Sequence, residues 1–159
     1  LTAESADVLY HLLVVWAGAD AFIKWGKNMA YDDNNIFAKI LRGELPCDKV
    51  YEDDFALAFR DINPQAPVHV LVIPKGAYVS MDEFSSDASA EEQAGLMRAI
   101  GKTARELGLI DSGYRVLTNK GRDSHQEVMH LHFHIFAGRP LGPMLEDGAL
   151  PPGSNYRRS

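Results

Sequence analysis

The sequence predicts an α+β domain: a largely antiparallel sheet with one short and one long helix, preceded by a helical extension. Three observations lead there. Several short stretches are β-branched or alternate apolar and polar residues, the mark of strands. One longer stretch has helical spacing behind a capping box. The order of the pieces (helix, hairpin, strand, helix, strand, strand) is that of an α+β chain.

Each element has its own justification. Residues 1 to about 25 are apolar and helix-like, and Gly26 to Asn35, with Asp32, Asp33, Asn34 and Asn35 in a row, reads as a linker. The compact domain is therefore expected over residues 29–147, with residues 1–28 an extension and 148–159 a loose tail. Ile36 to Arg42 is a short helix that Gly43 can cap. Lys49–Glu52 and Phe55–Arg60 form a hairpin around the Asp53-Asp54 turn. Pro67 to Ile73 is a strongly β-branched strand closed by Pro74-Lys75-Gly76. Ser89-Ala90-Glu91-Glu92 opens a helix that runs through Gly108, with Leu96, Met97, Ile100, Ala104 and Leu107 at helical spacing. Gly113 to Thr118 is a strand, Asn119 to Gln126 a polar loop, and Val128 to Phe136 the last strand.

Bulk properties narrow the function. The chain of 159 residues is 46% apolar and 24% charged, enough for one domain with a real core. A net charge of −6 argues against binding a nucleic-acid polymer but leaves room for a small anion at a locally suitable site. Cys47 is the single cysteine, so no intrachain disulfide framework exists and a cytoplasmic setting is expected. The apolar run Val8 to Ala19 is too short to span a membrane.

His130, His132 and His134 stand at strict two-residue spacing. On an extended strand they share one face, while Leu131, Phe133 and Ile135 point into a core. Imidazole at neutral pH serves as nucleophile, proton carrier or metal ligand. Same-face neighbours on a strand lie roughly 6–7 Å apart. Two rings on a straight strand therefore reach one metal ion at about 2 Å only with bending, and phosphoryl transfer is the favoured chemistry. The preceding loop, Lys120-Gly121-Arg122-Asp123-Ser124-His125-Gln126, offers backbone N–H groups and two cations that suit phosphate oxygens.

The segment His130-Leu131-His132-Phe133-His134-Ile135-Phe136 resembles the signature of the histidine triad nucleotide-binding family. The resemblance extends through Ile36-Phe37-Ala38-Lys39-Ile40, through Phe59 to Lys75, and through Gly113-Tyr114-Arg115 and Asn119, covering about residues 34 to 145. It is closest to the purine nucleoside phosphoramidase branch. It implies a HIT-like fold, a homodimer joined through the long helix and a strand, and a purine nucleotide as small-molecule partner; no cofactor is expected. It implies that His132 attacks the α-phosphorus of a nucleoside phosphoramidate or related nucleotide, giving a covalent nucleotidyl-imidazole that water resolves. Its other ring nitrogen would then donate to an acceptor such as a backbone carbonyl. His130, His134 and His69 would order the network, and Asn119 would stabilise phosphoryl charge. Asp61 would accept from the ribose hydroxyls; Phe37, Leu45, Phe59 and Ile62 would form the base pocket. Gln126 and Glu127 fall in the same nucleotide-binding set. The alternative is a nucleotide-binding regulatory partner in which turnover is incidental, and a zinc protein is a third reading that metal analysis would test.

Two positions depart from the family pattern. Glu127 stands where many of these phosphoramidases carry serine, which bears on leaving-group choice, and Arg60 stands where some relatives carry histidine. Separately, residues 1–25 resemble the C-terminal helix of phosphoribosyl-ATP pyrophosphohydrolase. Glu4 and Asp7 match half of that family's magnesium-binding carboxylates, and the other half is missing from this sequence.

Overall fold

The computed structural model describes residues 30–145; the expected extension, Glu4 and Asp7, and the tail lie outside the described residues. Five strands, β1 (Lys49–Glu52), β2 (Ala56–Arg60), β3 (Val68–Pro74), β4 (Arg115–Thr118) and β5 (Phe133–Ala137), form one sheet in the order β1-β2-β3-β5-β4. Every neighbouring pair is antiparallel. Helices α1 (Ile36–Leu41), α2 (Met81–Asp87) and α3 (Ala90–Glu106) complete the fold.

The sheet is covered on both faces, and the two-residue period decides which side chain goes where. Ala56 and Ala58 of β2, Val70 and Val72 of β3, and Phe133 and Ile135 of β5 join Leu96, Ala99 and Ile100 of α3 in one core. The alternate residues, Leu57 and Phe59, then Leu71 and Ile73, pack with Ile36, Phe37 and Ile40 of α1 on the opposite face. A central strand buried on both sides is apolar without a break, which explains the run Val70 to Ile73.

The helix ends follow their sequence signals. Asn35 caps α1 by accepting from the N–H groups of Phe37 and Ala38, both at 3.0 Å. At its far end Gly43 adopts φ 73°, with Gly43 N–H bonded to the Ile40 carbonyl and Glu44 N–H to that of Lys39, a Schellman stop that favours glycine. Ser89 and Glu92 close the expected capping box on α3.

Four expectations need correction. The last strand starts at Phe133, not Val128: the backbone before it leaves the ladder, with Leu131 N–H bonded to the Tyr78 carbonyl at 2.7 Å. The strand β4 starts at Arg115 because Gly113 takes a positive φ of 85°. The long helix ends at Glu106, with Gly108 inside its C-terminal stop. Helix α2 was not expected, although Ser80-Met81-Asp82-Glu83 carries a capping signal; Ser80 accepts from Asp82 N–H and donates to Glu83 at 2.5 Å.

Gly95 marks a close approach of α3 to Phe55, the residue before β2, since a Cβ there would sit 2.6 Å from Cδ2 of Phe55. Alanine gains about 1 kcal/mol of helix propensity, and overpacking costs typically 1–3 kcal/mol. Gly95→Ala is expected to be net destabilising in urea unfolding; a variant more stable than the parent would contradict this packing.

Candidate active site

The face of the sheet beneath α1 carries the histidines. His69 lies on β3 opposite Phe136 of β5, and Leu71 opposite His134, so His69 and His134 are diagonal neighbours. Their facing nitrogens, His69 Nε2 and His134 Nδ1, are 2.9 Å apart. His130 and His132 belong to the segment leading into β5, yet the alternation holds: Leu131 joins the α3 core and the imidazoles turn to the other side. The His132 ring centre is 4.9 Å from that of His134 and 5.2 Å from that of Phe37, which meets it edge-on. The three rings share one face although only His134 is in the ladder.

Backbone partners fix the tautomer of each ring. A carbonyl only accepts, so His132 Nδ1, 2.7 Å from the His130 carbonyl, carries the proton. Nε2 of His132 is left with its lone pair. By the same logic His130 Nε2–H donates to the Pro74 carbonyl at 2.9 Å. Its Nδ1 therefore accepts from the Tyr31 hydroxyl at 2.5 Å. The backbone N–H of Gln65 donates to His69 Nδ1 at 3.2 Å, so the proton of His69 is on Nε2 and goes to His134 Nδ1. This leaves His134 Nε2–H as a buried donor with no partner among the described residues. The site thus presents one free lone pair and one free N–H on neighbouring rings.

Burial keeps these rings neutral. It pushes His130 down to about 4 and His134 down to about 3, with His132 adding to the effect on both. His132 is lowered by burial, partly countered by its bond to the His130 carbonyl and by Asp61 and Glu127. His69 is also lowered by burial, against the pull of Asp61.

The other expected residues divide. Phe37 and Phe59 are buried together with ring centres 5.6 Å apart, and Leu45 packs against the same cluster. Ile62 is 37% exposed and stands at the rim. Asp61 is half-buried; Oδ1 accepts from Asn63 N–H at 2.8 Å and Oδ2 lies 3.5 Å from His69 Nε2. Asn119 follows β4 directly and is half-buried. Gln126 is buried, and both of its amide protons go to the carbonyls of Val79 and Val128 while its oxygen accepts from Gly121 N–H. It anchors the loop rather than offering donors to a ligand. Glu127 is exposed, with Oε1 3.2 Å from His125 Nε2.

Three further supports had no signal in the sequence: the Pro74 carbonyl, the Gln65 N–H, and Thr118, whose hydroxyl donates to the His132 carbonyl at 2.7 Å. Asp61, His69 and His134 bring one ligand atom each within 4.8 Å of one another. A metal on His69 Nε2 would need that nitrogen's lone pair, while Nδ1 already spends its own on the Gln65 N–H. A neutral ring cannot do both, so the tautomer opposes a metal there.

A HIT domain model matches residues 42–141. The chain belongs to the HIT family. It is 64% identical over 118 residues to a 13.2 kDa HIT-like protein in the hisE 3′ region of Azospirillum brasilense, covering 74% of this chain and 97% of that protein. It is 47% identical over 121 residues to the purine nucleoside phosphoramidase of Escherichia coli K12, covering 74% and 98%. Among solved structures, a HIT family hydrolase from Clostridium thermocellum superposes with a TM-score of 0.67 at 40% identity, covering 72% of this HIT chain and 99% of that one.

The neutral rings couple the HIT fold to pH. In the unfolded chain a histidine takes up its proton near 6.5, whereas folded His130 and His134 refuse it until about 4 and about 3. Between those values the unfolded state binds more protons, so stability must fall as pH falls. Each ring contributes on the order of 2 kcal/mol of loss between pH 6.5 and 5. Denaturant unfolding across that range should show stability rising with pH; a flat profile would mean that the rings are not held neutral.

Proposed function

We propose that this HIT protein is a hydrolase that cleaves at the α-phosphate of purine nucleoside phosphoramidates or related small nucleotides. The observation that carries the reading is the pairing of a free lone pair on His132 Nε2 with a free N–H on His134 Nε2. The first is a nucleophile that needs no deprotonation, and the second is a preset donor for a phosphoryl oxygen. The name of the Escherichia coli relative, purine nucleoside phosphoramidase, supplies the substrate class.

In this scheme His132 Nε2 forms a bond to phosphorus as the P–N bond of the phosphoramidate breaks; the departing nitrogen takes the bonding pair and a proton from solvent and leaves as the amine. The imidazolium-like adduct is stabilised by its Nδ1–H bond to the His130 carbonyl. Water then attacks the same phosphorus, losing a proton to solvent; the P–His132 bond breaks with its electron pair returning to Nε2, and the nucleoside monophosphate departs with the ring restored. Phe37, Phe59, Leu45 and Ile62 hold the base, Asp61 takes the ribose hydroxyls, and Asn119 backs the phosphoryl oxygens. Glu127 stands where many phosphoramidases carry serine, and with its carboxylate set toward His125 the departing amine is left without that hydroxyl.

His132→Asn is expected to abolish release of AMP from an adenosine phosphoramidate, with at least a thousandfold loss, while nucleotide affinity stays within a few-fold. Mass spectrometry of the quenched parent should show a nucleotidyl adduct absent from the variant. The first step should keep its rate as pH falls through 6.5, the ordinary histidine value, because burial lowers His132. Turnover persisting in His132→Asn would overturn the mechanism; equal binding with no turnover in the parent would favour the regulatory reading.

The same proposal includes a homodimer. Among the described residues strand β4 pairs only with β5 and forms a sheet edge. Val116 on it is exposed, as are Tyr114 and Ile110 just before it and Met97 on α3. Such apolar exposure beside an open edge suits a second copy. Val116→Glu should shift sedimentation from dimer toward monomer; a parent that sediments as a monomer would refute it.

A further inference from the structure

The first ring of the triad is held from outside the segment that the HIT domain model matches. Tyr31 precedes residues 42–141, yet its hydroxyl reaches His130 Nδ1 at 2.5 Å, with ring centres 5.5 Å apart and edge-on. Burial pushes the Tyr31 phenol up, so its proton is in place at neutral pH.

The placement of Tyr31 is built rather than incidental. The next residue, Asp32, accepts from Asn34 N–H on Oδ1 at 2.9 Å, and its carbonyl accepts from the N–H and side-chain amide of Asn35 at 3.0 and 2.7 Å. Asn35 in turn caps α1. From the other end of that helix Arg42 donates to the Asp33 carbonyl at 2.8 Å while its guanidinium grips Glu44 at 2.7 and 3.1 Å. The short segment carrying Tyr31 is thereby tied to both ends of α1, the helix whose Phe37 touches His132.

His130 itself is fully buried and held at two points, Tyr31 on Nδ1 and the Pro74 carbonyl on Nε2. Two anchors on opposite nitrogens stop the ring from turning. They also locate the residue whose carbonyl receives the His132 Nδ1–H.

We propose that Tyr31 is a positioning residue: its hydroxyl locks His130, and through the His130 carbonyl it sets the tautomer and aim of the His132 nucleophile. The inference rests on the phosphoramidase reading for its kinetic consequence, but the positioning itself is independent of substrate. Removing the hydroxyl strands a buried nitrogen without a donor and leaves the ring one anchor.

Tyr31→Phe tests this in the full chain, since it deletes one oxygen and keeps the ring that packs on His130. On an adenosine phosphoramidate kcat should fall about tenfold, the weight of one hydrogen bond to a buried group, with KM within about twofold. In ¹⁵N-histidine spectra of the free protein, His130 Nδ1 should move toward the position of an unbonded lone pair, and the His132 Nδ1–H signal should shift and exchange faster. A parent-like kcat, or a loss confined to KM, would overturn the proposal. So would a His132 signal unchanged in the variant, and this last readout needs no turnover. If the parent itself fails to cleave phosphoramidates, the substrate assignment falls and the spectra alone decide the role of Tyr31.

Discussion

The bond from His132 Nδ1–H to the His130 carbonyl is the contact on which the site depends. A backbone carbonyl has no proton to give, so its presence dictates where the imidazole keeps its own. The nitrogen that faces away is then a lone pair in every folded molecule. That outcome costs no titratable partner and is insensitive to pH over the neutral range, because burial already opposes a second proton. The same device recurs at His130 with Pro74, and in reverse at His69, where a backbone N–H takes the lone pair. Four rings are set by three backbone groups and one phenol.

The sheet makes this possible. Strand β3 supplies His69 and, at its end, the Pro74 carbonyl, while β5 supplies His134 and lies against it in antiparallel register. The departure of the chain from the ladder before Phe133 has a structural use. Ladder bonding would have claimed backbone groups around His130 and His132, whereas here the His130 carbonyl is free to receive a side chain, and Thr118 meets the His132 carbonyl from β4.

Much of this was legible in the sequence. The alternation in Leu131, Phe133 and Ile135 placed the histidines on one face, and the β-branched run after Pro67 announced a buried central strand. Capping signals at Ser89 and a glycine at position 43 gave helix boundaries to within two residues. What stayed hidden has a common cause. The Pro74 carbonyl, the Gln65 N–H and the Thr118 hydroxyl act through tertiary proximity and belong to no pattern, since every residue has a carbonyl and nearly every one an N–H. Tyr31 sat in a polar stretch that looked like a linker. Gln126 stands beside the triad in sequence, but its amide is spent on the Val79 and Val128 carbonyls, a tertiary arrangement that no local pattern announces. Helix α2 buries Phe84 alone, so it carries no apolar periodicity beyond the cap at Ser80.

The neutrality of the buried rings also shapes how an anion would be held. Burial opposes a formal charge on every imidazole in the cluster, so a phosphate arriving there meets the oriented N–H dipole of His134 rather than an imidazolium. Dipolar fields decay faster with distance than those of ions, and dissolved electrolyte screens interactions at buried groups little. Retention of such a ligand would therefore depend on fit at close range, and only weakly on ionic strength. A chain of net charge −6 can accommodate a negatively charged guest on those terms without building a basic surface.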